Sequence, residues 1–198
     1  MTKPTGKDVL EPKPIDFGEY TAKNVKGFKG TDGDGYSADL CRGTKKVASI
    51  VDNADGSMVN IWWKDTEGER VKISVPRLDG SLHTYKGTPD EKIFRDHMNN
   101  LPPYPYDKWT KEMTGKDYGT VDEGIFLGAL IDKHDNDKRC KRLCRTKTLF
   151  TVKGEDDTFY TYNAPYNQKT KERITSICSD RNQQLDEIIN ERFLNEEA

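Results

Sequence analysis

From Asn24 to Pro76 the chain is a succession of short runs rich in β-branched and aromatic residues, closed by Asp-Gly or Glu-Gly turn chemistry. The runs cover 24–30 (NVKGFKG), 36–43 (YSADLCRG), 45–53 (KKVASIVDN), 58–65 (MVNIWWKD) and 70–76 (RVKISVP), with turns at 31–35, 54–57 and 66–69. Connections this short cannot carry the crossover that a parallel pair needs, so neighbouring runs must pair antiparallel, as a meander of four to five strands. Tyr36, Ala38 and Leu40 alternate with Ser37, Asp39 and Cys41, as a half-buried strand does. Val47, Ser49 and Val51 oppose Ala48 and Ile50 less cleanly, which predicts cover on both faces of that strand.

Past residue 87 the period changes. Thr88-Pro89-Asp90-Glu91 combines a capping threonine, a proline suited to the first helical position and a glutamate completing a capping box. The helix runs to about Asn100, presents Ile93, Phe94, His97 and Met98, and stops at LPPYPY. A second box, Thr120-Val121-Asp122-Glu123, precedes Ile125, Phe126, Leu127, Ala129, Leu130 and Ile131, a helix apolar over much of its circumference and therefore central. The basic stretch that follows either continues this helix or restarts after a break at Asp135-Asn136-Asp137. Residues 148–163 read as a small hairpin around Gly154-Glu155-Asp156-Asp157, and two helices, about 167–180 and 182–194, close the chain. The expected fold class is α+β: an antiparallel meander packed with a C-terminal helical half that contains a small β-hairpin. The expected segments are a flexible arm at 1–18, a sheet region at 19–86 and a helical region at 87–198 with its hairpin near 147–163, with one continuous domain over the last two as the alternative.

Composition narrows the function classes. Hydrophobic residues make up 33% and charged residues 33% of the 198, so the core is modest and the surface densely charged. The 32 basic and 34 acidic side chains nearly cancel, so any electrostatic partner is recognised by a local patch. No apolar run approaches a membrane span and no signal-peptide core opens the chain, which gives a cytoplasmic expectation and no membrane partner. Cys41, Cys140, Cys144 and Cys178 are expected as free thiols. Cys140 and Cys144 share a helical face near His134, but the paired-cysteine spacing of a metal knuckle is missing, and no metal or other cofactor is expected.

The densest local signal is Lys138, Arg139, Lys141, Arg142, Arg145 and Lys147, six basic residues within ten. On a helix, Leu143, Cys140 and Cys144 turn inward while the cations fan outward, a face able to neutralise several phosphates. The bland alternative is a solvated face paired with the chain's own carboxylates: Asp132, Asp135, Asp137, Asp186, Glu187 and Glu191. Trp62 and Trp63, adjacent on one strand, must point to opposite faces. With Tyr36 they form the candidate interaction surface, although cover over both tryptophans is the expectation. TDGDGYSAD and DNADGS resemble fragments of calcium loops. Ser37 and Gly43 stand where such a loop needs glycine and a bidentate glutamate, so both read as turns. His83 in a polar loop, His97 on a helix and His134 at a helix end make no catalytic set, and no nucleophile elbow, phosphate loop or zincin motif is present. A non-enzymatic role is favoured, with an enzyme acting on nucleotides or nucleic acid as the outlying alternative.

Two stretches carry a family resemblance. Residues 27–63 (GFKGTDGDGYSADLCRGTKKVASIVDNADGSMVNIWW) resemble the N-terminal strand region of uncharacterised proteins from bacteriophages and bacterial mobile elements. Residues 140–176, through the IINERF at 188–193, resemble the C-terminal part of the same group, where a basic helix runs into KTLF, a tyrosine-containing hairpin and a closing helix. The chain departs from that pattern at Asp55-Gly56-Ser57, which replaces paired glycines. The resemblance implies an accessory protein made inside a bacterium and binding a host or phage protein, in host takeover or counter-defence, with DNA or RNA as the alternative partner.

Overall fold

The computed structural model describes residues 15–65, 67–77, 81–105, 108–154 and 159–194. Most of the expected arm (1–14), Thr66 of the third turn, the hairpin loop at 155–158 and the tail at 195–198 lie outside the described residues. The chain forms two compact units, Met1–Asp132 and Lys133–Ala198, and the fold is α+β.

In the first unit the Asp-Gly turns do what their chemistry dictates. Strands β1 (Tyr20–Lys29), β2 (Asp34–Arg42), β3 (Lys45–Asp52) and β4 (Asn60–Trp63) pair antiparallel in sequence order. Leu40 sits opposite Ala22 and Ala48, and Ile50 opposite Ala38 and Ile61, so one face of the sheet is apolar and buried. A bulge between Leu40 and Cys41 lets Val47 and Ala48 both become buried, which explains the blurred alternation of β3. The two acidic turns meet at one end of the sheet, where the Asp32 amide donates to the Ala54 carbonyl at 2.7 Å. A side chain at Gly30 would stand 2.1 Å from the Asn53 carbonyl oxygen, so only glycine permits this approach.

The fifth run does not extend the meander. Strand β5 (Val71–Pro76) pairs instead with β6 (Leu82–Gly87) in a separate two-stranded ladder, which places His83 on a strand opposite Val75 rather than in a loop. Helix α1 (Pro89–Asn99) starts as expected: the Thr88 hydroxyl accepts the Glu91 amide at 3.1 Å. The other half of the box is absent, because the Glu91 carboxylate accepts the Tyr85 hydroxyl at 2.7 Å. Buried Asp90 in the same turn accepts from Arg42 at 3.1 Å and from Lys45 at 2.8 Å, fastening the helix start to the sheet. Phe94 is the hub of the core, with Tyr20, Phe126 and Trp63 ring centroids at 5.2, 5.3 and 5.4 Å. Short elements β7 (Tyr104–Pro105), α2 (Lys108–Thr114) and β8 (Tyr118–Gly119) lead to the long helix α3 (Glu123–Cys144).

Helix α3 begins two residues later than the capping-box reading places it. Asp122, not Thr120, is the cap: its carboxylate accepts the Ile125 amide at 2.8 Å and its carbonyl accepts the Phe126 amide at 3.0 Å. The helix runs without a break through Asp135, Asn136 and Asp137. Its early residues Phe126, Leu127, Leu130 and Ile131 are buried in the core of the first unit.

In the second unit β9 (Thr148–Val152) is the centre of a three-stranded antiparallel sheet, flanked by β10 (Tyr160–Tyr162) and β11 (Leu185–Ile188). Helix α4 (Gln168–Asp180) ends where Asn182 takes a positive φ of 55°. The helix expected over 182–194 is corrected here: 185–188 is strand, and only α5 (Asn190–Leu194) is helical. Strand β9 is buried at Thr148, Leu149, Phe150 and Val152, so its open edge needs a backbone partner more than the segment needs helical bonds. Asn190 then locks the unit together. It accepts the Leu149 amide at 2.8 Å and donates to the Cys144 and Lys147 carbonyls at 3.2 and 2.9 Å. Among the described residues no helix is long and apolar enough to cross a membrane.

Candidate nucleic-acid interface

The basic segment is positioned by what its helix buries. Cys140 with Leu149 and Ile189 forms a small core, against which Leu143, Cys144, Phe159 and Phe193 pack. At 3.6 residues per turn, seating Cys140, Leu143 and Cys144 inward turns Lys138, Arg142 and Arg145 onto the opposite arc, with Arg139 at its flank. These four side chains are exposed, while Lys141 and Lys147 are half-buried. Lys138 and Arg145 are separated by about 10 Å along the axis, the rise of three phosphates on one strand of a duplex.

Four of the six nearby carboxylates are occupied elsewhere, Asp132 and Asp135 being the exceptions. Asp137 pairs with Lys133, Glu187 with Arg192, and Glu191 with Lys171 at 2.8 Å, while Asp186 accepts the Thr151 hydroxyl. Lys171 and then the Tyr166 hydroxyl hold the Glu191 carboxyl below the usual carboxylate range, and Arg192 does the same for Glu187. Among the described residues no carboxylate comes within ion-pairing distance of Lys138, Arg142 or Arg145. Arg139 lies over the Phe159 ring, 5.9 Å from its centroid. A concavity of about 470 Å³ opens along this arc, with Asp135 as the acidic member of its described lining.

The other candidates are dispersed. Trp63 faces the core and Tyr36 is half-buried, its hydroxyl without a hydrogen-bond partner among the described residues and pushed up to about 12 chiefly by burial. Trp62, opposite Ser49, is 56% exposed, so the expected cover over both tryptophans is corrected: β4 is a short edge strand with nothing described above its outer face. Beside it the outer face carries a shallow concavity of about 480 Å³ lined by Asn24, Lys26, Ser37, Asp39, Ser49 and Val51. His97 hydrogen-bonds the Asp16 carbonyl at 2.8 Å, His83 contacts Arg77, and no group of three or more metal-ligating side chains occurs among the described residues. The four cysteines are free thiols, and burial pushes the Cys144 thiol up to about 11. Residue-by-residue reading overlooked Asn190 and Tyr166 because no local pattern gives either a role. Only their partners, forty or twenty-odd residues away in sequence, give them a role. No family model, curated protein or solved structure matches this chain.

Proposed function

We propose that this protein is a non-enzymatic accessory protein that binds nucleic acid through the basic arc of α3. One observation carries the reading: Lys138, Arg142 and Arg145 stand exposed with no described carboxylate to neutralise them, on a helix face whose reverse is held by a packed core. A cation left unpaired by its own protein gains most from displacing the counterions of a phosphate chain. The resemblance to bacteriophage and mobile-element proteins supports a setting in the cytoplasm of a host bacterium, where DNA and RNA are at hand.

Fluorescence anisotropy with a labelled oligonucleotide tests the reading. Binding is expected at low salt, and the combined substitution Arg139→Glu, Arg142→Glu, Arg145→Glu is expected to remove it. Unchanged binding by that variant overturns the assignment. A second reading, docking of a host or phage protein on the outer face of the first unit's sheet, is favoured by exposed Trp62, a residue type enriched at binding hot spots. Its test is Trp62→Ala against a captured partner, with retention of that partner counting against it.

A further inference from the structure

The basic arc adjoins a second hollow in the same unit, of about 300 Å³, to which both Lys141 and Arg145 also contribute. Its remaining lining is mostly apolar or aromatic: Pro165, Tyr166, Phe193 and Leu194. Asn190, at its floor, spends its side-chain oxygen and nitrogen on Leu149, Cys144 and Lys147. The Tyr166 hydroxyl and the Glu191 carboxylate are engaged with each other and with Lys171. What the hollow offers a ligand is therefore surface for a flat unsaturated group, beside cations suited to a phosphate.

We infer that the nucleic acid is single-stranded and that one unstacked base enters this hollow while the adjoining phosphates follow the arc. The inference rests on the nucleic-acid reading and deepens it. A duplex keeps its bases stacked and paired, so it can meet the arc but cannot fill the hollow without flipping a base out at a cost. A single strand presents both groups together, and every base has a face able to stack on an aromatic ring. Leu194, 58% exposed beside half-buried Phe193, is ready to cover such a base from one side.

The test compares the full chain's affinity for an oligothymidylate and for a duplex of equal length at one salt concentration. The single strand is expected to bind about tenfold more tightly. Tyr166→Ala is expected to bring the two affinities to within about twofold of each other. Because Tyr166 also holds Glu191, Leu194→Glu serves as the second variant: it places a carboxylate at an exposed rim position and is expected to remove the same preference in a protein of unchanged circular dichroism. A 2-aminopurine placed within the strand gives an independent signal, its emission changing on binding to the native protein and not to Leu194→Glu. Equal affinity for strand and duplex, with both lost in the arginine-to-glutamate variant, overturns this inference and leaves nucleic-acid binding standing. Failure of both to bind at low salt overturns the two together.

Discussion

Asn190 shows how much of the second unit's order depends on a single buried side chain. Asn190 is 4% exposed and satisfies one amide and two carbonyls, so its removal leaves three backbone groups buried without partners. Asn190→Ala is expected to cost about 3 kcal/mol in chemical denaturation, since each orphaned group carries a desolvation penalty of about 1 kcal/mol or more. A cost below about 1 kcal/mol contradicts the role assigned to it. Cys144, with its thiol pushed up to about 11 by burial, holds about a thousandth of its population as thiolate at pH 8. Alkylation there is expected to be at least tenfold slower in the native protein than in denaturant, and equal rates contradict its burial.

Helices and strands differ in how plainly the sequence announces them. The meander was legible because each strand ends in a turn whose residues tolerate little else: Gly30 admits no side chain, and Gly33, Gly43 and Gly56 take positive φ. Strand β6 was not, because Leu82, His83 and Thr84 are exposed and give no alternation to read. Strand β11 lies where a helix is expected, and Leu185, Ile188 and Ile189 do have helical spacing; what decides the segment is the open edge of β9, a demand no local pattern contains. The inward turn of Cys140, Leu143 and Cys144 was legible from the helical period alone, whereas the pairing of Glu187 with Arg192 and of Glu191 with Lys171 follows from that strand and was hidden with it. The start of α3 gives a direct check. Asp122→Ala is expected to cost about 1 kcal/mol, and Thr120→Ala to stay within about 0.5 kcal/mol of the parent. The reverse order restores the capping box at Thr120.

At the scale of the whole molecule, stability is expected to fall at both ends of the pH range. In the first, burial pushes Tyr20 and Tyr36 up to about 12, above their ordinary value of about 10. The folded state keeps these protons longer than the unfolded chain, so their contribution is whole below pH 10 and is lost as pH rises toward about 12. All three tryptophans (Trp62, Trp63 and Trp109) belong to the first unit, so the tryptophan-monitored denaturation midpoint is expected to fall across that window, and a flat midpoint contradicts the burial of the two rings. In the second unit Glu187 and Glu191 are held low, so their contribution is present above about pH 4.3 and is lost as pH falls through their folded values. Both carboxylates are paired, with Arg192 and Lys171 respectively, and neither is ion-paired with Lys138, Arg142 or Arg145 of the basic arc, on which the functional account turns. The most direct measurement of that account is the salt dependence of oligonucleotide binding by the parent and by the Arg139→Glu, Arg142→Glu, Arg145→Glu variant. Neutralising four phosphates of a single strand predicts a slope of log K against log salt of about −3 for the parent, with binding by the variant lost. A slope near zero, or a variant that binds as the parent does, contradicts it.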